Sequence, residues 1–293
     1  MVSGVRIALA TCTDFPDVDR DDAPLLAPLA ERGVTATPAV WDDPSVDWAS
    51  YDLTVIRSTW DYPPRREEFL AWARTVPRLA NPADVLAWNT DKRYLGRLAD
   101  AGAPVVPSTF LAPGVQWHAP DAGEWVVKPT VSAGSRDTGR YDLADPVQRS
   151  LAFELVSRLH GVERDVMIQP YLSAVAEHGE TALLFFGGRF SHAIRKGPML
   201  DGPYEGVPSL YKWEDIRPRT PSTAEREVAE KVLAAVPDAE RLLYARVDLI
   251  PGPGGPTLVE LELTEPSVFL RYDDTAAVRF ADAILDRLAP DAG

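Results

Sequence analysis

The sequence predicts an α/β fold in its N-terminal part that passes into an α+β arrangement toward the C-terminus. Three features carry this reading. Apolar strand-like runs at 5–11, 34–40 and 53–57 alternate with a helix-like stretch at 25–32 that ends at Gly33, the pattern of parallel strands joined by crossovers. Farther on, alternating strands at 180–186 and 189–195 flank Gly187-Gly188, a tight-hairpin signal. A last strand pair, 242–250 and 257–263, spans a Pro/Gly loop.

The remaining elements follow in order. Helical spacing is read at 67–76, then over a long stretch from 83 to 101 closed by Gly102, and again at 145–159, 223–236 and 276–288. Residues 165–172 form a strand broken by Pro170. Residues 198–218 are rich in Gly and Pro and read as one long irregular segment, functional or mobile. No internal repeat is present.

Composition narrows the function. With 293 residues, 45% hydrophobic and 25% charged, the chain reads as a soluble globular protein. Its apolar runs are too short to span a bilayer, and the start Met1-Val2-Ser3-Gly4 lacks a signal-peptide layout, so a cytoplasmic protein without membrane contact is expected. Cys12 stands alone, which leaves no internal disulfide and no cysteine zinc cage. His118, His160, His178 and His192 are scattered without metal-ligand spacing. A net charge of −14 repels duplex nucleic acid, so an anionic ligand needs a local cluster of cations or bound metal ions.

In parallel sheets, ligands collect at the carboxyl ends of strands. Those positions carry Cys12-Thr13-Asp14, Trp41-Asp42-Asp43 and Arg57-Ser58-Thr59-Trp60-Asp61-Tyr62. Arg57 can grip a carboxylate, Ser58 and Thr59 offer hydroxyls, and Trp60 gives an apolar wall. The plain alternative is a helix N-cap with buried aromatics, which Asp61 before Pro63-Pro64 also suits. Cys12 lines a pocket or is simply a small buried residue.

Two further clusters matter. A short strand from Trp125 ends at Lys128; Pro129 and the small residues Ser132-Ala133-Gly134-Ser135 follow, a loop whose N–H groups can converge on phosphate beside a fixed ammonium. An ordinary strand-to-turn junction is the alternative. Near the C-terminus, Glu260 and Glu262 project from one face of a strand, and Asp248 lies in its partner with Arg246 on Asp248's face. Carboxylates gathered this way repel unless cations compensate, and hard oxygen donors suit Mg²⁺ on phosphates; a solvated sheet face is the alternative. Lys92, Lys128, Arg195 and Lys196 are the cations available upstream.

Taken in order, these residues resemble the ATP-grasp superfamily, in particular its glutathione-synthetase-like branch. The resemblance implies an N-terminal α/β domain over 1–104, a central lid subdomain over 105–174 and a catalytic subdomain over 175–293, with ATP clasped between the last two. Lys92 in Asp91-Lys92-Arg93, Lys128-Pro129 and the Ser132–Ser135 loop fall on the family's ATP-binding lysines and glycine loop. Gln169-Pro170-Tyr171-Leu172 falls on the adenine hinge, with backbone groups of Tyr171 and Leu172 as adenine partners, and Glu180 on the ribose contact. Arg195, with Lys128 and Lys196, takes the place of the phosphate-side catalytic cations. Asp248, Glu260 and Glu262 take the place of the ligands of two Mg²⁺ ions.

This sequence departs from the family where Glu262 replaces a frequent Asn, and where 197–211 offers no counterpart to a phosphate-side Asn. Within the family, 57–62 and 131–138 look like the group that contains D-cycloserine synthetase. That likeness implies an amino-acid-like substrate near Cys12, Thr13, Arg57, Ser58, Thr59, Trp60, Asp61, Arg246, Pro266 and Ser267. The implied activity is an ATP- and Mg²⁺-dependent carboxylate ligase working through an acyl phosphate, closing O-ureido-D-serine to D-cycloserine. An intermolecular carboxylate–amine ligase, a kinase and a nucleotide sensor remain alternatives, and a homo-oligomer is left open. A dinucleotide oxidoreductase is disfavoured, because Ala10-Thr11-Cys12-Thr13 lacks the glycine fingerprint.

Overall fold

The apolar runs of the N-terminal part build a four-stranded parallel sheet in the order β2-β1-β3-β4. The computed structural model describes residues 4–198, 200–204 and 215–289. β1 (Val5–Thr11) sits between β2 (Val34–Val40) and β3 (Leu53–Ile56), with the short β4 (Leu79–Ala80) beyond β3. Side chains alternate across β1: Ile7 and Leu9 join one core with Leu25 and Leu29, and Ala10 joins another with Trp41, Phe69 and Leu70. Both faces are therefore covered, which is why the run is continuously apolar. The crossovers are α1 (Leu26–Glu31) and α2 (Arg66–Thr75).

The single helix expected over 83–101 is two helices, α3 (Ala83–Asn89) and α4 (Tyr94–Asp100). The break has a tertiary cause. Asn89 is committed to another strand, Asp91 accepts from the Arg93 N–H at 3.0 Å, and the Lys92 N–H turns out to the Thr130 carbonyl at 2.9 Å. Lys92 thus sits at a corner rather than on a helix face.

A second sheet is antiparallel, in the order β5-β8-β6-β7. It comprises β5 (Thr109–Leu111), β6 (Glu124–Pro129), β7 (Gly139–Asp142) and β8 (Val166–Pro170). Sequence patterning missed β5 and β7. β7 returns beside β6, so the Ser132–Ser135 loop is the tip of a hairpin. α5 (Pro146–His160) covers this sheet with Ala152, Leu155, Val156 and Leu159; Asp145 caps it by accepting from the Val147 and Gln148 N–H groups.

The third sheet runs β11-β10-β9-β12-β13, antiparallel throughout. After a short α6 (Ala174–His178), which was not anticipated, β9 (Glu180–Phe186) and β10 (Arg189–Lys196) form the expected hairpin. β11 (Ile216–Arg219) occupies the edge, where Pro218 needs no ladder donor. It replaces the end of the irregular segment expected at 198–218, of which 199 and 205–214 lie outside the described residues. α7 (Thr223–Ala234) packs on one face, and β12 (Tyr244–Gly252) and β13 (Gly255–Glu262) complete the sheet. α8 (Ala276–Leu288) packs on the other face, with Phe280 stacked on Phe186 at 4.4 Å, and shares its core with β1. Among the described residues no helix is long and apolar enough to cross a membrane.

Candidate active site

A cleft of about 750 Å³ is lined by the second and third sheets and by loops of the first part. One end is apolar. Val106, Val126, Ile250 and the Gln169–Leu172 segment line it, and Gln169 is fixed by donating to Ser108 Oγ at 3.0 Å. The expectation for the hinge backbone needs a correction at Tyr171. Its N–H already donates to the Glu124 carbonyl at 2.8 Å, and its ring carries Arg140 at 3.8 Å. The Leu172 carbonyl accepts from Val175, so among the described residues the hinge's remaining donor is the Leu172 N–H.

The middle of the cleft is ionic. Lys128, at the end of β6, lines it; burial pushes its ammonium down, against the attraction of Glu260. Lys92 donates to the Ser132 carbonyl and hydroxyl at 2.9 and 3.2 Å and pairs with Glu260 at 3.1 Å. One lysine thereby links the hairpin tip to β13. Ser132, Ala133, Gly134 and Ser135 all line the cleft, and consecutive left-handed backbone at Gly134 (φ 63°) and Ser135 (φ 55°) turns the tip. Lys196 pairs with both Glu180 and Asp248, the latter at 2.8 Å.

Arg195 is placed differently from its expected role. It alternates with Lys196 along β10, points to the opposite face, and donates from Nε to the His178 carbonyl at 2.8 Å. Lys196, not Arg195, is the cleft cation of this strand.

The three C-terminal acids also differ from one another. Asp248 is fully buried, held by Arg246 and Lys196, and those two cations keep it well below the usual carboxylate range although burial opposes them. The expected convergence of three carboxylates is thus incomplete: Asp248 is sealed behind its cations, while Glu260 and Glu262 line the cleft. Burial works against charge on Glu260, yet Lys92 and Lys128 bring it down to about 2. Glu262 pairs with Arg246, but burial still pushes it up to about 7; burial likewise pushes Glu180 up to about 8. Among the described residues no three acid, His or Cys side chains form a ready-made metal cage. The donor set nevertheless fits Mg²⁺ by chemistry: the hard carboxylate oxygens of Glu260 and Glu262 stand on one face of β13 and line the cleft.

At the far end lie Phe15, Trp60, Tyr62, Glu265 and Ser267. Trp60 packs edge-on against Phe15 and donates from Nε1 to the Glu265 carbonyl at 3.0 Å. Most of the other expected substrate residues are structural. Arg57 is 1% exposed, pairs with Asp22 at 2.9 Å and donates to the Pro266 carbonyl at 2.7 Å, so its guanidinium is spent before any substrate arrives. Ser58 accepts from the Asp19 N–H, Thr59 is buried, and Asp61 accepts from Trp41 Nε1. Tyr62, not Asp61, precedes the turn at Pro63. Cys12 is buried beside Trp41 in the core, Thr13 is exposed away from the cleft, and Pro266 is buried behind it. Arg246, Trp60 and Ser267 do reach the cleft. Glu265 was missed by the sequence reading, although it immediately precedes Pro266.

Comparison with known proteins places this geometry. The family model described as D-cycloserine synthetase DcsG, N-terminal domain, matches residues 7–81. The chain is 40% identical over 310 positions to the cycloserine biosynthesis protein DcsG of Streptomyces lavendulae, covering 97% of this chain and 99% of that protein. The crystal structure of D-cycloserine synthetase DcsG superposes with a TM-score of 0.86 at 38% identity, over 97% of this chain and 100% of that one. The ATP-grasp ligase PsnB, complexed with a precursor variant, Mg and ADP, shares the fold with a TM-score of 0.63 at 16% identity, over 97% and 98% of the two chains. The chain belongs to the D-cycloserine synthetase DcsG family and shares the fold of ATP-grasp ligases.

Proposed function

We propose that this ligase activates the carboxylate of O-ureido-D-serine with ATP and closes the molecule to D-cycloserine. The observation that carries the proposal is the Lys92–Glu260 contact at 3.1 Å, which puts an upstream ammonium and a C-terminal acid in one cleft with Lys128 beside them. A polyphosphate laid between the apolar end and the far end meets those cations on its way.

The apolar end takes the adenine against Val126 and Ile250, with the Leu172 N–H as donor. Lys128 and the 132–135 tip take the phosphates. Glu260 and Glu262 would hold Mg²⁺, with Asp248 joining them if Lys196 releases it, and two ions are proposed. When bound, the metal offsets phosphate charge and steadies the transferring group. The substrate carboxylate, held near Arg246, attacks the γ-phosphorus; the bond to the β-phosphate oxygen breaks, ADP leaves and the carboxylate becomes an acyl phosphate. Lys196 and Arg246 offset the charge on the tetrahedral intermediate as the oxygen-bound ureido nitrogen attacks the acyl carbon, losing its proton and expelling phosphate; water then removes the carbamoyl group as carbon dioxide and ammonia to leave D-cycloserine. Lys92, by tying Ser132 to β13, holds the hairpin tip over the reacting atoms and keeps water from the acyl phosphate.

The test is ADP release on adding O-ureido-D-serine, with mass spectrometry of the product. A ring product with ADP is expected, and Glu260→Gln should lower the rate on the order of 100-fold. A stable phosphoester product would instead make the protein a kinase, and undiminished turnover in Glu260→Gln would remove the metal assignment.

A further inference from the structure

The acids in the cleft are not equally provided for. Glu260 has Lys92, Glu262 has Arg246, Glu180 has Lys196, and Asp248 has both Lys196 and Arg246. Glu265 makes no direct ion pair among the described residues; Lys92, already paired with Glu260, attracts it only from a distance. Its carboxyl lies by buried Tyr62 and is repelled more by Glu262 than it is attracted by Lys92. Yet Glu265 is only 8% exposed and lines the cleft.

Its position is also fixed with care. The Glu265 carbonyl accepts from Trp60, the preceding Thr264 hydroxyl donates to Asn89 Oδ1 at 3.2 Å, and the following Pro266 carbonyl accepts from buried Arg57. A buried carboxylate held by a rigid frame, without a cation of its own, is built to receive one from outside. Water alone would leave it undercompensated.

We propose that Glu265 is the specificity residue that receives the α-ammonium of an amino-acid substrate, an inference that rests on the ligase reading above. The substrate carries a carboxylate that must face Arg246 and the phosphates, and a cation that must go elsewhere. Glu265 lies on the Trp60–Tyr62 side of the cleft, beyond Glu262, so it can take the ammonium while the carboxylate is presented to Arg246. Trp60 walls the space between with an apolar face.

The experiment compares O-ureido-D-serine with its deamino analogue, 3-(ureidooxy)propanoate, in steady-state ADP release by the full chain with MgATP. The wild type should prefer the amino compound in kcat/KM on the order of 100-fold. Glu265→Gln keeps the shape and removes the charge; it should raise KM for the amino compound and shrink that preference to a few-fold. Glu265→Asp, which keeps the charge on a shorter arm, should fall between the two. MgATP binding by each variant, read from the shift of its melting temperature, verifies that it is folded. If Glu265→Gln keeps the wild-type preference, or loses kcat equally for both compounds, the assignment is wrong while the ligase reading stands. If the wild type releases no ADP with the amino compound, the ligase reading fails and takes this inference with it.

Discussion

A guanidinium as deeply buried as that of Arg57 is held by everything around it. It lies over the rings of Tyr244 and Phe280, at 5.3 and 5.5 Å, and its carboxylate partner Asp22 is equally enclosed. Arg57→Ala should therefore cost roughly 3–5 kcal/mol in denaturant unfolding, because Asp22, which burial pushes up to about 6 even beside Arg57, is left enclosed without its partner. Arg57→Met combined with Asp22→Leu should recover most of that loss. A double variant no more stable than Arg57→Ala would show the charge pair is not what matters. The sequence displayed the right residue types in 57–62 but not their exposure, and exposure decided between substrate ligand and core. His192 makes a second case. Its Nδ1 lies 2.9 Å from the Ser191 hydroxyl and its Nε2 donates to the Val268 carbonyl at 3.0 Å, so the ring is held on both sides inside the fold. Burial pushes it down to about 4, with Arg279 acting in the same sense and Asp273 against it. The unfolded chain binds a proton there below about 6.5 and the fold does not, so stability falls as pH drops from about 6.5 to 4. At pH 5 the loss is about 2 kcal/mol. Melting temperatures of wild type and His192→Gln between pH 7 and 4.5 check this, since the difference between the two should shrink toward acid. Parallel curves would contradict it.

Between elements, two asparagines do what no strand pattern could announce. Asn81 donates to the Tyr244 and Leu263 carbonyls at 2.9 and 2.7 Å and accepts from the Leu243 N–H at 2.7 Å. Asn89 donates to the Leu261 carbonyl and accepts from the Leu263 N–H, each at 2.8 Å. Both come from the N-terminal part and seize the end of β13, where the ladder stops and Glu265 begins. Asn89→Ala orphans those backbone groups, which should cost about 3 kcal/mol. It should also raise KM for the substrate more than it changes the affinity for ATP, because the residues it releases are 261–264 at the substrate end. An equal effect on both ligands would argue against that coupling. Strands and helices with a long period were readable in advance: β1, β2, β9, β10 and α8 follow directly from alternation or helical spacing. The interruption between α3 and α4 was not, since Asn89 and Lys92 break the helix for partners far away in sequence. β5 and β7 escaped for another reason, being too short for a period to show, and β7 is defined only by its pairing with β6.

At the scale of the whole molecule, the net charge of −14 and the acids of the cleft set the terms on which a polyphosphate can enter. The sequence foretold that cations must be concentrated somewhere, and Lys92, Lys128 and Lys196 are indeed brought to one cleft; it could not foretell that Asp248 would already be occupied. Lys92 is paired with Glu260, and Lys196 with Glu180 and Asp248, so bringing in phosphate draws those two cations away from acids that are then left unbalanced. Mg²⁺ held by Glu260 and Glu262 would resolve this by supplying charge to the acids while the lysines meet the phosphates. Nucleotide and metal should therefore stabilise the fold together more than separately. At a hundred times its dissociation constant, MgATP should contribute about 2.7 kcal/mol, and for a chain of this length about 4 °C in melting temperature. ATP with excess EDTA at the same concentration should give a clearly smaller rise, and Glu260→Gln should narrow the gap between the two conditions by removing one of the acids that requires compensation. Equal shifts with and without the metal in the wild type would mean that the lysines meet the phosphates without help, and that Glu260 and Glu262 serve only as their partners in the empty cleft.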